Sequence, residues 1–178
     1  MKGSNNFVLS VIFPVLNNAT GLDCALKSVV SQYDDGLELL VIDGGSTDDF
    51  LTVIDKYKRY INYWETGVDR NLSDAFNRGI SQAKGKFISI LNSDDIYEEK
   101  VLFGILEYMR DSPNVDVFYG KVKYIDQIDN TSYMRIPNIS HMKYRMSLFH
   151  SSMFVSKSAY DSVGLYSEDY HLAMDSEW

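Results

Sequence analysis

Short apolar runs alternate along this chain with stretches in which apolar positions recur every three or four residues, the pattern of strands alternating with amphipathic helices. Phe7 to Phe13 reads as the first strand. Thr20 then reads as the N-cap of a helix whose Leu22, Ala25, Leu26, Val29 and Val30 share a face as far as Gln32. A second strand, Leu37 to Ile42, runs into Asp43-Gly44-Gly45-Ser46-Thr47-Asp48, whose glycines permit a tight turn before a helix carrying Leu51, Ile54 and Tyr57. Ile61 to Trp64 is a short third strand. The clearest helix follows, with Leu72, Ala75, Phe76, Gly79, Ile80 and Ala83 on one stripe and Gly85 as its C-terminal stop. Phe87 to Leu91 is the fourth strand, Val101, Leu102, Ile105, Leu106 and Met109 mark another helix, and Val115 to Tyr119 another strand. This order predicts an α/β fold, with a mostly parallel sheet covered by helices on both faces.

From Gly120 the pattern changes to alternating strands around Asp129-Asn130, a hairpin from Lys121 to Arg135, followed by an irregular stretch through Tyr144. A small antiparallel element is therefore expected beside the parallel sheet. No repeat, low-complexity segment or linker interrupts the chain, so residues 1–178 are expected to form one domain, with 1–119 and 120–178 as its two parts. Met174 to Trp178 reads as the opening of a helix, which points to a chain cut short.

With 45% apolar and 13% aromatic residues, the 178-residue chain has enough material for a sizeable core, so disorder is excluded. A net charge of -8 and a pI near 4.8 leave no basic footprint for nucleic acid. Cys24 is the only cysteine, so no intrachain disulfide is available, and its neighbours Leu22, Ala25 and Leu26 place it in the expected core. Phe7 to Leu16 is broken by Ser10 and Pro14 and is too short to span a bilayer, which makes a soluble cytoplasmic chain the expectation.

The most informative polar feature is Asn92-Ser93-Asp94-Asp95, two adjacent carboxylates where the buried fourth strand should emerge. Like charges side by side repel, and burial raises that cost, so an acidic pair at a strand end is best kept ionised by a cation. Hard carboxylate oxygens suit magnesium, manganese or calcium. The plainer use is a cap for the helix that begins near Glu98-Glu99-Lys100-Val101. Company favours the metal: Asn17, Asp43 to Asp48 and Asp94-Asp95 all lie at carboxyl ends of strands, where ligands bind in open α/β sheets. Gly79 to Lys86 is no phosphate loop, because Phe87 stands where Ser or Thr is required. No Gly-x-Gly-x-x-Gly follows the first strand either, which argues against a dinucleotide fold.

Several motifs, in order, resemble family 2 glycosyltransferases of the GT-A fold. Ser10 to Asn17 is similar to that family's opening strand, Ala25 to Gln32 to its first helix, and Val41 to Asp48 to an Asp-Gly-Gly-Ser-Thr-Asp form of its second strand end. Glu65 to Ile80, with Gly67, Asp69, Asp74, Ala75, Asn77 and Gly79, resembles the segment before the metal strand, and Leu91 to Asp95 the metal motif. His150 to Trp178, with Gly164-Leu165-Tyr166 ahead of Asp175, resembles the acceptor side. The resemblance covers nearly the whole chain.

It implies a nucleotide-sugar donor, with uridine diphosphate as the expected carrier, and a manganese or magnesium ion bridging its diphosphate. Asp95 would hold the metal, and Asp94 would sit beside it on the metal or the ribose. Pro14, Asn17, Asp43, Gly44 and Asp74 would line the donor site. Many relatives carry a second aspartate, able to contact the base, where this chain has Gly44, so the base stays open. Asp175 matches the position of the base that deprotonates the acceptor hydroxyl in an inverting transfer. The plainer uses of Asp74 and Asp175 are first-turn helix carboxylates. His150 could bond donor or acceptor, and Tyr166 or Tyr170 could stack on a sugar, although core roles are commoner for all three.

The acceptor implied is a growing cell-surface polysaccharide or a lipid-linked carrier, reached through peripheral contact at the inner face of the membrane in the complete protein. Two alternatives come from other classes. A sugar nucleotidyltransferase would need a Gly-rich basic loop after the first strand, and Pro14-Val15-Leu16-Asn17 supplies none. A non-catalytic nucleotide-sugar-binding module would tolerate Asp95→Asn.

Overall fold

The computed structural model describes residues 6–126, 128–142 and 147–169. Their order is β1 (Leu9–Val15), α1 (Ala19–Val30), β2 (Leu37–Asp43), α2 (Phe50–Tyr57), β3 (Ile61–Thr66), α3 (Leu72–Gln82), β4 (Phe87–Ile90) and α4 (Val101–Asp111). Then follow β5 (Val117–Tyr119), β6 (Val122–Ile125), β7 (Ser132–Arg135), β8 (Met153–Ser156) and α5 (Lys157–Val163). A six-stranded sheet runs β3-β2-β1-β4-β8-β5, with β3, β2, β1 and β4 parallel and β8 antiparallel to both its neighbours. β6 and β7 form a separate antiparallel pair, the hairpin expected between Lys121 and Arg135.

The sheet is covered on both faces, which is why its central strands read as continuous apolar runs rather than alternating ones. Val11 and Phe13 point into one layer with Leu22, Leu26, Val53, Leu102 and Leu106 of α1, α2 and α4. Their neighbour Ile12 points the other way, with Leu40 and Ile42, against Phe76, Ile80 and Tyr160 of α3 and α5. The three-layer arrangement foreseen from the sequence is therefore the one found.

Several local expectations need correction. Asn18, not Thr20, caps α1, its Oδ1 accepting from the Gly21 amide at 3.1 Å. Cys24 is exposed rather than core, because it lies two helical steps, about 200°, from buried Leu22. Leu51 is 64% exposed, and the buried face of α2 is Phe50, Val53, Ile54 and Tyr57. Leu72 is likewise exposed at the start of α3.

Gly85 does not stop α3, which ends at Gln82 with Ala83 as C-cap. It sits against β1, where its amide donates to Ser10 Oγ at 2.8 Å. That hydroxyl donates at 2.6 Å to Glu38, which also accepts from the Lys84 amide at 2.7 Å and is only 1% exposed. The buried carboxylate is thus satisfied by the turn that feeds β4. A Cβ on Gly85 would lie 2.5 Å from the Ser10 nitrogen and 2.9 Å from the Leu9 carbonyl carbon, both backbone atoms that cannot step aside. Gly85→Ala is expected to lower stability by about 2 to 3 kcal/mol, read as a shift in the urea midpoint at unchanged slope.

Candidate functional site

β1 lies between β2 and β4, so connections leave it in opposite directions and a crevice opens at its carboxyl end. The opening can be followed bond by bond. The Leu91 amide donates to the Ile12 carbonyl at 2.9 Å, and β1 pairs with β4 only as far as Ile12 with Ile90. Pro14, two residues on, turns its backbone toward the same side, beyond the end of β4. A proline, which cannot donate, costs no ladder bond there.

Loops from three strand ends are tied around this crevice. Asn17, held at φ 51, donates its amide to Ser46 Oγ at 2.8 Å and accepts from the Thr47 amide at 2.9 Å through Oδ1. Asp48 accepts from the Ala19 amide at 2.8 Å, joining the loop after β2 to the start of α1. Asn18 Nδ2 reaches across to Ser93, donating to its carbonyl at 3.3 Å and its Oγ at 3.2 Å. Gly21 lets these parts approach, since a Cβ there would lie 2.1 Å from the Ser93 carbonyl oxygen. The cross-link made by Asn18 has one signal in the sequence, an asparagine ahead of a helical stripe.

Asp94 and Asp95 are not helix caps. α4 starts at Val101, its preceding residue Lys100 is left-handed at φ 69, and no side chain caps it from that position. Gln32, at the end of the first helix, accepts instead from the Leu102 amide at 3.2 Å and donates to the Glu98 carbonyl at 3.0 Å. Ser28 Oγ accepts from the Tyr97 amide at 3.2 Å. Ser28 and Gln32 thus brace the loop that carries the acidic pair, a role that no local pattern in the sequence announces.

Within that loop Asp94 is exposed, and Asp95 is partly buried with its amide bonded to the Asn92 carbonyl at 3.0 Å. Burial raises the Asp95 carboxyl above the usual carboxylate range, and the neighbouring charge of Asp94 adds to the rise. Asn92 Oδ1 is buried without a hydrogen-bond partner among the described residues, while its Nδ2 lies 3.0 Å from His150 Nε2. His150 packs on Phe76, ring centroids 5.8 Å apart, so the one bond fixes the Asn92 amide from the opposite side.

Among the described residues no cluster of three His, Cys, Asp or Glu side chains forms a closed metal cage. The site nevertheless fits a magnesium- or manganese-type ion. Such ions are commonly held by one or two carboxylates, with substrate phosphates completing the shell. Two adjacent carboxylates, the charge of Asp95 disfavoured by burial, in a stretch of chain that also holds an amide oxygen with no donor among the described residues, supply that incomplete set.

The other expected residues fall as follows. Asp43 is 1% exposed, and its carboxylate accepts from the Ser46 amide at 3.0 Å and from Thr66 Oγ1. It organises the turn after β2. Asp74 has its amide capped by Asn71 at 3.0 Å and its carboxylate bonded to Arg70 at 2.7 Å, which holds its carboxyl below the usual range. Arg70 also pairs with Glu168 at 2.5 Å. These three residues line a polar cleft of about 320 Å³ beside α3, whose lining includes no residue of the acidic-pair loop. Tyr166 is core, 5% exposed, and its ring packs on Phe76 and Tyr160. Asp175 and Tyr170 lie outside the described residues. Gly44 carries no side chain, and the carboxylate of Asp69 rests over it.

The family profile described as glycosyl transferase family 2 matches residues 10–165. Curated relatives include a PGL/p-HBAD biosynthesis glycosyltransferase of Mycobacterium bovis, 28% identical over 174 residues, spanning 94% of this chain and 66% of the relative. An uncharacterised glycosyltransferase of Rickettsia conorii is 35% identical over 132 residues, 70% of this chain and 22% of its own length. Among solved structures, Staphylococcus aureus TarS 1-349 in complex with UDP-GlcNAc superposes with a TM-score of 0.77 at 20% identity, over 96% of this chain and 51% of that one. The Pyrobaculum calidifontis mannosyltransferase PcManGT, in complex with GDP-Man and Mn2+, does so at 0.69 and 19% identity, over 92% and 48%. The fold is the GT-A arrangement of these transferases. This chain spans about two thirds of the mycobacterial relative and about half of the superposed structures.

Proposed function

The chain belongs to glycosyl transferase family 2, and from that premise we propose that it carries the donor half of an inverting sugar transfer from a nucleotide diphosphate sugar to a hydroxyl acceptor. The observation that carries the reading is the acidic pair at the β1/β4 crevice, released from any capping duty and braced from α1. Support for a uridine diphosphate sugar comes from TarS, solved with UDP-GlcNAc, and for a manganese-type ion from PcManGT, solved with GDP-Man and Mn2+.

Asp95 and Asp94 would hold the ion, and the unpartnered amide oxygen of Asn92 belongs to the same stretch of chain. Bound there, it supplies positive charge where the departing diphosphate gains negative charge. The chain's own residues do the rest. Asn17, Asn18 and Asp48 keep the loops after β1 and β2 closed against the β4 loop, so the donor meets a fixed surface. Asp175 takes the acceptor proton as the hydroxyl attacks the anomeric carbon from the face opposite the diphosphate, which inverts its configuration. The acceptor in this reading is a cell-surface polysaccharide or a lipid-linked glycan met at the inner membrane face. No helix among the described residues is long and apolar enough to cross a membrane.

A screen of nucleotide sugars with and without manganese, read by melting temperature, tests the assignment. At ligand a hundredfold above Kd, stabilisation of about 2.7 kcal/mol is expected, with uridine diphosphate sugars giving it only when metal is present. No metal-linked shift with any nucleotide sugar would remove the reading.

A further inference from the structure

We propose that Asp69 reads the base of the bound nucleotide, its Oδ2 accepting a ring N–H, so that uracil, thymine or guanine is admitted and cytosine or adenine refused. The proposal rests on the nucleotide-sugar reading above and names which donors that site takes.

Several observations converge on one oxygen. Gly44 follows Asp43 at the carboxyl end of β2, on the ligand edge of the sheet. An ideal Cβ on residue 44 would lie 2.5 Å from Asp69 Oδ2 and 3.2 Å from its Cγ, so the carboxylate rests directly on the glycine backbone. Gly44 is not required for conformation: the glycines with positive φ are Gly45 and Gly164. What residue 44 must provide is space, and Asp69 uses it.

The same carboxylate is fixed and half used. Oδ1 is paired with Arg78, which Glu65 anchors from the other side at 2.8 Å. The Asp69 side chain is only 13% exposed. No donor among the described residues reaches Oδ2. Neighbouring Asp43 cannot take its place, because Ser46 and Thr66 already donate to that carboxylate. Oδ2 of this partly buried side chain is therefore open to a ligand that brings a donor, and a bond to a carboxylate is stronger than one between neutral groups.

A carboxylate accepts and never donates. Uracil, thymine and guanine present a ring N–H on their pairing edge, whereas cytosine and adenine present a bare ring nitrogen at that place and can donate to Oδ2 only from the exocyclic amino group beside it, after a shift of the base along its edge. Arg78 holds Oδ1, so the carboxylate cannot swing away from such a mismatch without giving up that ion pair.

Calorimetric titration of the full chain with UDP, GDP, CDP and ADP, each with manganese, decides the matter. UDP or GDP is expected to bind at least about tenfold more tightly than CDP and ADP. In Asp69→Asn, whose amide can present an N–H2 in the same place, the UDP to CDP ratio should fall at least about tenfold. Gly44→Ala, which leaves Asp69 in place chemically but displaces it, should weaken UDP without improving CDP, and it keeps the test alive if Asp69→Asn does not fold. Binding of all four within about threefold, or an unchanged UDP to CDP ratio in Asp69→Asn, overturns the role of Asp69 while leaving nucleotide binding intact. No binding by any of the four overturns the nucleotide reading, and this proposal with it.

Discussion

Asp95→Ala is expected to lower sugar transfer by about a thousandfold or more and to remove the manganese dependence of donor binding, with the fold unchanged. The magnitude follows from what the residue is asked to do. Loss of one preorganised group that stabilises developing charge costs about a hundred- to a thousandfold, and here the metal's grip on the departing diphosphate goes with it. The fold should survive because Asp95 caps no helix and α4 is held from Gln32 and Ser28 instead. Removing a carboxylate disfavoured by burial and by Asp94 should leave the melting temperature of the metal-free protein equal or slightly higher. Circular dichroism and donor titration with and without manganese check both halves. Full function kept by Asp95→Asn, in a parent that shows no sugar transfer, would instead favour a binding module that does no chemistry.

Asp175→Asn, tested in the complete protein, is expected to reduce kcat by about a thousandfold while nucleotide binding stays within about twofold of the parent. The split is the diagnostic. A base that acts only on the acceptor hydroxyl makes no ground-state contact with the donor, so its loss appears in turnover and not in affinity. A first-turn helix carboxylate with a structural role would move stability and binding together.

The layers of this fold were legible because the physics is local. Strands buried on both faces are mostly apolar, and β1, β2 and β4 are, with Ser10, Glu38, Asp43 and Ser89 as their buried polar exceptions. Helices packed on one face carry a stripe, and α3 does. Errors arose where a third element decides. Thr20 and Asn18 are both acceptable N-caps, and the choice fell to Asn18, which also bonds Ser93 on the neighbouring strand end. Gly85 looks like any glycine after a helix, yet contact with the β1 backbone fixes its identity. Cys24 neighbours Leu22 in the sequence but not on the surface of the helix.

The site was legible in part for the same reason. Asp94-Asp95 is a local anomaly, two charges at the end of an apolar run, and any reading of the chain meets it. The bracing by Ser28 and Gln32, and the seating of Asp69 on Gly44, join residues far apart in the chain. Sequence alone gives no reason to connect a glycine with an aspartate on another loop. Contact between them exists only once β3 and α3 are packed beside β2.

Phosphorus NMR of uridine diphosphate bound to the protein, with a trace of manganese, addresses the central claim most directly. If the acidic pair holds an ion against the diphosphate, both phosphorus resonances broaden strongly in the parent protein and stay sharp in Asp95→Ala at equal manganese. Resonances of the bound nucleotide that broaden equally in the two proteins, or in neither, would contradict it.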